Sequence, residues 1–186
     1  MNIQYRKLRK EDVAAYRKAR LECLFEFPDH FGSSHAEESK KKELKFEDII
    51  RDETCDSYMM GAFDNKLLIG LCGFKREDRA KTKHRGEIVQ MYVNKEHANQ
   101  NIGSCLLKTV IEKAFENPDI EQISLSVVHQ NEKANKVYEH LGFSEYGRLE
   151  NYFKSDTRYW DQRFMILYRD GFKPTGHGHD LKTEAR

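Results

Sequence analysis

Cysteine is scarce and scattered: Cys23, Cys55, Cys72 and Cys105 are the four in 186 residues. No pair has the short spacing of a zinc knuckle, and no His-x-x-x-His accompanies them, so a designed metal site is not expected. They read as reduced thiols acting as small hydrophobes, the usual state in a cytoplasm. Long apolar runs are missing as well. None approaches the ~20 residues that a membrane helix needs. The polar, basic start Met1 to Lys10 lacks the apolar stretch of a secretory signal. A surplus of one charge is also absent: 32 basic and 31 acidic residues leave a formal net charge of +1. That balance gives no general attraction to nucleic acid or to a membrane surface. The chain has no internal repeat, and its length suits one domain with a real core. A soluble, cytoplasmic protein is expected.

What is present is a pattern of alternating elements. Ile3 to Leu8 alternates as a strand does. Asp12 is placed to cap a helix with Val13, Tyr16, Ala19 and Leu24 toward a core, and Pro28 interrupts it. Phe27 to Lys42 has no clear period, and Lys45 to Asp52 reads as a short helix. Ser57 to Phe63 and Leu67 to Phe74 flank the turn Asp64-Asn65-Lys66 as a hairpin. Lys75 to Arg85 is a charged connector. Glu87 to Val93 is a strand. Gly103 to Phe115 carries Leu106, Leu107, Val110, Ile111, Ala114 and Phe115 at helical period. Ile123 to Val128 is apolar enough for a central strand. Asn131 to Leu141 is a helix, ended by Gly142 as a left-handed cap. Strands follow at about 144–152 and 160–168. From Arg169 the tail is rich in Gly, Lys and His and is expected to be mobile; His177 and His179 in it bind metal at most adventitiously.

This order predicts an α/β fold with a mixed sheet. A right-handed crossover from 87–93 through 103–115 makes strand 123–128 a parallel neighbour of 87–93. The junction Ala98, Asn99, Gln100, Asn101, Ile102, Gly103, Ser104 then precedes a helix N-terminus, where unpaired N–H groups and the helix dipole favour a phosphate. Gly103 permits close approach of backbone to a ligand, Asn101 holds a left-handed conformation cheaply, and Ser104 adds a hydroxyl.

From Glu87 to Phe143 the chain resembles the GNAT superfamily of N-acetyltransferases. In the first block, Met91 to Leu107, Gly103 fits the last place of that family's pyrophosphate loop, while Ala98 and Asn101 depart from its first two. In the second block, Asn131 to Phe143, the later cofactor motif is matched throughout. The likeness extends over roughly residues 1–168, leaving 169–186 as a tail. It implies a GNAT-like fold with a central mixed sheet of about seven strands and about four helices. It also implies acetyl-CoA as cosubstrate and a primary amine as acceptor, in direct transfer without a covalent intermediate. Many members dimerise, so a homodimer is compatible with it.

The resemblance places Tyr138 as proton donor to the CoA sulfur and Glu87 as base. The backbone of Met91, Tyr92 and Val93 would hold the pantetheine arm. Loop 98–104 would hold the diphosphate, with Asn131 and Lys136 as further contacts. Strand alternation puts Glu87, Val89, Met91 and Val93 on one side, where an apolar setting would raise a carboxylate's pKa. Cys105, inside a helix, is a poor nucleophile candidate. Glu37 and Glu38 are candidate attractors of a cationic acceptor. Two other readings stay open from the residues: an acyl-CoA sensor without turnover, motivated by Ala98 and Asn101, and a nucleic-acid binder using the basic residues of 75–85.

Overall fold

The computed structural model describes residues 2–52, 56–155 and 157–172. Cys55, His177 and His179 lie outside them. The strands are β1 (Ile3–Lys7), β2 (Tyr58–Asp64), β3 (Leu67–Arg76), β4 (Arg85–Val93), β5 (Gln122–Val128), β6 (Ser144–Ser155) and β7 (Arg158–Tyr168). The α-helices are α1 (Val13–Glu26), α2 (His35–Glu38), α3 (Glu47–Arg51), α4 (Ile102–Phe115) and α5 (Glu132–His140). All seven strands form one sheet in the order β1-β2-β3-β4-β5-β7-β6. Every pairing is antiparallel except β4 with β5, the parallel pair that the crossover through α4 requires.

Each sheet face is covered by its own apolar cluster. On one, α4 buries Ile102, Leu106, Leu107, Val110, Ile111 and Ala114 against Ile69, Ile88, Ile123, Leu125 and Met165. Side chains of this size contribute on the order of 1.5–3 kcal/mol each when fully buried. On the other, α1 and α3 pack Tyr16, Ala19, Cys23 and Ile50 with Leu44, Phe46, Met59 and Leu71. The buried stripe of α1 is Tyr16, Ala19, Arg20, Cys23 and Leu24, spaced as one helix face, and a guanidinium sits in the middle of it.

Three local details correct the reading from sequence. Asp12 stands at the N-cap of α1, but its carboxylate turns backward, accepting from the Arg6 guanidinium at 2.6 and 2.9 Å and from the Arg9 N–H at 2.8 Å. Those bonds hold its carboxyl below the usual carboxylate range, the Arg6 contact most strongly. Glu37 is held in a capping box with Ser34, and Glu38 is buried and paired with Lys41 Nζ at 2.7 Å. The chain also stays docked past Tyr168: Arg169 donates to the carbonyls of Phe115, Asn117 and Ile120, and the Phe172 ring lies 5.8 Å from that of Phe115. Gly142 caps α5 at φ +95°, where a Cβ would also meet the Gly171 carbonyl at 3.2 Å.

Candidate active site

The sheet opens between β4 and β5. Their pairing runs only from Arg85↔Gln122 to Ile88↔Leu125, after which the two strands part. The cause lies in β4. Gln90 takes a left-handed backbone (φ 55°), and the register with β3 shifts between Leu71 and Gly73. An added residue of this kind bends a strand and re-aims its side chains. The Tyr16 hydroxyl, on α1, donates to Gln90 Oε1 at 2.9 Å and anchors the bulge.

The bulge overturns the simple alternation expected of β4. Val89 packs in the α1 cluster, as does Tyr92, whereas Met91 and Val93 pack against the α4 cluster. Glu87, two residues from Val89 in regular strand, shares the α1 side. The Tyr92 hydroxyl lies 2.9 and 3.0 Å from the carboxylates of Glu22 and Glu26, and burial with these two acceptors pushes its pKa well up. Its side chain therefore faces away from Met91, and only its backbone remains as a candidate contact.

The parted strands enclose a cleft of ≈ 220 Å³. Glu87, Met91, Asn131 and Tyr138 all line it, so four of the residues singled out from sequence meet there. Tyr138 is 6% exposed, its ring set edge-on to Phe143 at 6.1 Å. Burial pushes its phenol pKa up, so the hydroxyl stays protonated far above neutral pH. The position of α5 is fixed at its first turn. Asn131 Oδ1 accepts from the Ala134 N–H at 3.3 Å as the N-cap. Asn135, buried, donates to the His129 carbonyl at 2.8 Å and accepts from Arg163 at 2.9 Å. These bonds set Tyr138 one turn later against the end of β5.

The 98–104 junction follows the C-terminal end of β4 and leads into α4. Asn99 and Asn101 both adopt left-handed backbones, φ 62° and 60°. The first helical bond of α4 runs from the Cys105 N–H to the Asn101 carbonyl, so the N–H groups of Ile102, Gly103 and Ser104 have no acceptor within the helix. Residues 98–101 are exposed, while the Ile102 side chain enters the core. A Cβ on Gly103 would stand 3.2 Å from Met91 Cε, so glycine lets the helix start close against β4. A loop of bare N–H groups ending beside a strand with free edge groups suits a diphosphate followed by an extended arm. Lys136, by contrast, is exposed on α5 and outside the cleft lining.

Several cleft residues were not singled out from sequence: Arg20, His30, Gln90 and Gln162. Arg20 was detectable, because it stands four residues after Tyr16 on a buried stripe. His30 and Gln162 carry no local signal, since the loop after Pro28 and the β6–β7 hairpin bring them in. Burial lowers the His30 pKa. Asn131 Nδ2 lies 3.4 Å from His30 Nδ1; with that nitrogen as acceptor, the ring proton sits on Nε2. Cys23 and Cys72 are buried thiols whose pKa burial raises, to about 12 for Cys23, so they are poor nucleophiles. Among the described residues no cluster of three His, Cys, Asp or Glu could hold a metal, and no helix is long and apolar enough to cross a membrane.

Comparison with known proteins agrees with this geometry. Residues 16–143 match the acetyltransferase (GNAT) family. N-alpha-acetyltransferase 30 of Schizosaccharomyces pombe is 33% identical over 107 residues, 58% of this chain and 69% of its own length. The Dictyostelium discoideum protein of the same name is 36% identical over 92 residues, 50% of this chain and 49% of its own, so the match spans about half of that relative. An acetyltransferase of the GNAT family from Streptococcus pneumoniae superposes with a TM-score of 0.80 at 20% identity, covering 90% of this chain and 99% of that one. The seven-stranded sheet parted between β4 and β5, the residues gathered in that opening and the profile match over 16–143 together place the chain in the GNAT acetyltransferase family.

Proposed function

We propose that this protein transfers the acetyl group of acetyl-CoA to a primary amine, by direct attack with both substrates bound in the β4–β5 cleft. The observation that carries the reading is the meeting of Tyr138 and Glu87 in one opening, on a strand that leads to the bare N–H groups of Ile102, Gly103 and Ser104. Acetyl-CoA supplies the activated acetyl thioester. The α4 N-terminus and the Asn99 and Asn101 turns would hold its diphosphate. The free edge of β4 at Met91 to Val93 would pair with the pantetheine arm as a further strand does. Tyr138, held protonated by burial, would hand its proton to the departing sulfur.

Glu87 would take the proton of the acceptor ammonium, directly or through water. This step matters because a lysine-like amine, with a reference pKa of about 10.4, is almost wholly charged at pH 7. His30, a neutral imidazole in the same cleft, is the second candidate for this role. The relatives' name, N-alpha-acetyltransferase, favours an α-amine over a side-chain amine. Two free buried thiols suit a cytoplasmic setting. The test is thiol release from acetyl-CoA across a panel of amines. Amine-dependent release supports the reading; tight CoA binding with no release on any amine would make the protein a sensor instead.

A further inference from the structure

The cleft holds a cation that forms no ion pair with any of the described residues. Arg20 lines the cleft and is only 4% exposed. Its Nε is buried with no hydrogen-bond partner. Its remaining contacts are weak ones: one terminal nitrogen lies 3.9 Å from Cys23 Sγ, and the guanidinium carbon lies 5.0 Å from the Phe31 ring centroid. No carboxylate among the described residues is within 4 Å of it. The nearby acids have other partners, Glu38 in Lys41, Glu26 in Lys95 and the Tyr92 hydroxyl, and Glu22 in the Tyr92 hydroxyl. A desolvated charge in this state is costly unless something pairs with it.

A second orphan shares the cavity. Gln162, on β7, is also 4% exposed, lines the same cleft, and has a buried Oε1 with no donor. Two residues of the cleft lining, a guanidinium and a carboxamide, thus each carry a buried polar atom that the fold leaves without a partner. Its other charged lining group is Glu87, on the same face of the sheet as α1.

We propose that Arg20 and Gln162 form the acceptor subsite and that the acceptor is a small amine carrying a carboxylate, an amino acid in its simplest form. The inference rests on the acetyl-transfer reading of the same cleft. Arg20 would receive the carboxylate through Nε and a terminal nitrogen, the side-on fork that suits two carboxylate oxygens. Gln162 Oε1 would accept an N–H of the same molecule. Glu87 would then face the ammonium, so the lining charges complement a zwitterion. A polyamine fits poorly, because it would bring positive charge against an unpaired buried cation.

The test compares amino acids with their carboxamides in the thiol-release assay, using the parent, Arg20→Met and Arg20→Lys. The parent should prefer the acids. Arg20→Met should raise the KM for the acids about 10- to 100-fold, the range expected for charged hydrogen bonds. The rate on carboxamides should fall much less than the rate on the acids, and Arg20→Lys should recover part of the loss. Calorimetry of N-acetylamino acids in the presence of CoA reads the subsite without turnover, so it separates failure of the subsite from failure of acetyl transfer. Arg20→Met should abolish that binding. Equal use of acids and carboxamides by the parent, or equal product binding by parent and Arg20→Met, would overturn the proposal.

Discussion

Replacing Tyr138 by phenylalanine removes one oxygen from the wall of the cleft and little else. The ring is 6% exposed and packs edge-on against Phe143, a contact that phenylalanine keeps. Stability is expected to change by less than about 1 kcal/mol, since no protein hydrogen bond among the described residues depends on that hydroxyl. The chemical effect is separate. Burial raises the phenol pKa, which makes Tyr138 a weak acid, and a thiol near the reference value of about 8.5 already leaves tolerably as thiolate. Proton donation should therefore sit at or below the low end of general acid catalysis, about 10- to 100-fold in kcat, or about 1.4–2.7 kcal/mol. The raised pKa has a sign: the protonated form is favoured in the fold, so Tyr138 contributes no loss of parent activity up to pH about 10. Steady-state thiol release gives kcat, calorimetry gives the acetyl-CoA Kd, and a thermal melt gives stability. A kcat equal to the parent's, with acetyl-CoA affinity also unchanged, would remove Tyr138 from the chemistry.

Two further outcomes follow from the same geometry. Glu87→Gln should lower kcat/KM at pH 7 by at least about tenfold, and the deficit should shrink toward pH 10, where the acceptor loses its proton unaided; a pH-rate comparison with a constant ratio would contradict the base role. Asp12→Asn should cost about 1 kcal/mol at pH 7, because it weakens a two-point contact with a partly exposed Arg6. Its folded pKa is depressed, so the parent's advantage is present above the unfolded value of about 3.9 and is lost as pH falls through the lower folded value. Denaturant melts from pH 7 down to pH 2 should show the two proteins converging; a constant difference would be wrong for this linkage.

The elements that were legible from sequence are those whose signal is local. The run of α4 declares its period through six buried residues, and Gly142 marks the end of α5 by the conformation it alone tolerates cheaply. The second block placed Asn131 and Tyr138 on one helix, and the structure turns that helix into the cleft. The face of β4 was not legible, because the Gln90 bulge is anchored by Tyr16, 74 residues away. Alternation read through that point puts Met91 and Val93 on the wrong side. Asp12 shows the same limit on a smaller scale. Its type and place suit a helix cap, yet Arg6 competes for the carboxylate and wins with two charged hydrogen bonds. Arg20 needed only its position on the α1 stripe to be noticed, but its lack of a counter-ion is a fact of tertiary packing.

The grip of the α4 N-terminus on a diphosphate is tested most directly by titrating the protein with acetyl-CoA and, separately, with S-acetylpantetheine, which lacks that group and the nucleotide beyond it. The account predicts a Kd for acetyl-CoA between about 1 μM and 1 mM. It predicts binding at least about tenfold weaker for the truncated thioester. Equal affinities, or no heat from either at millimolar concentration, would contradict it.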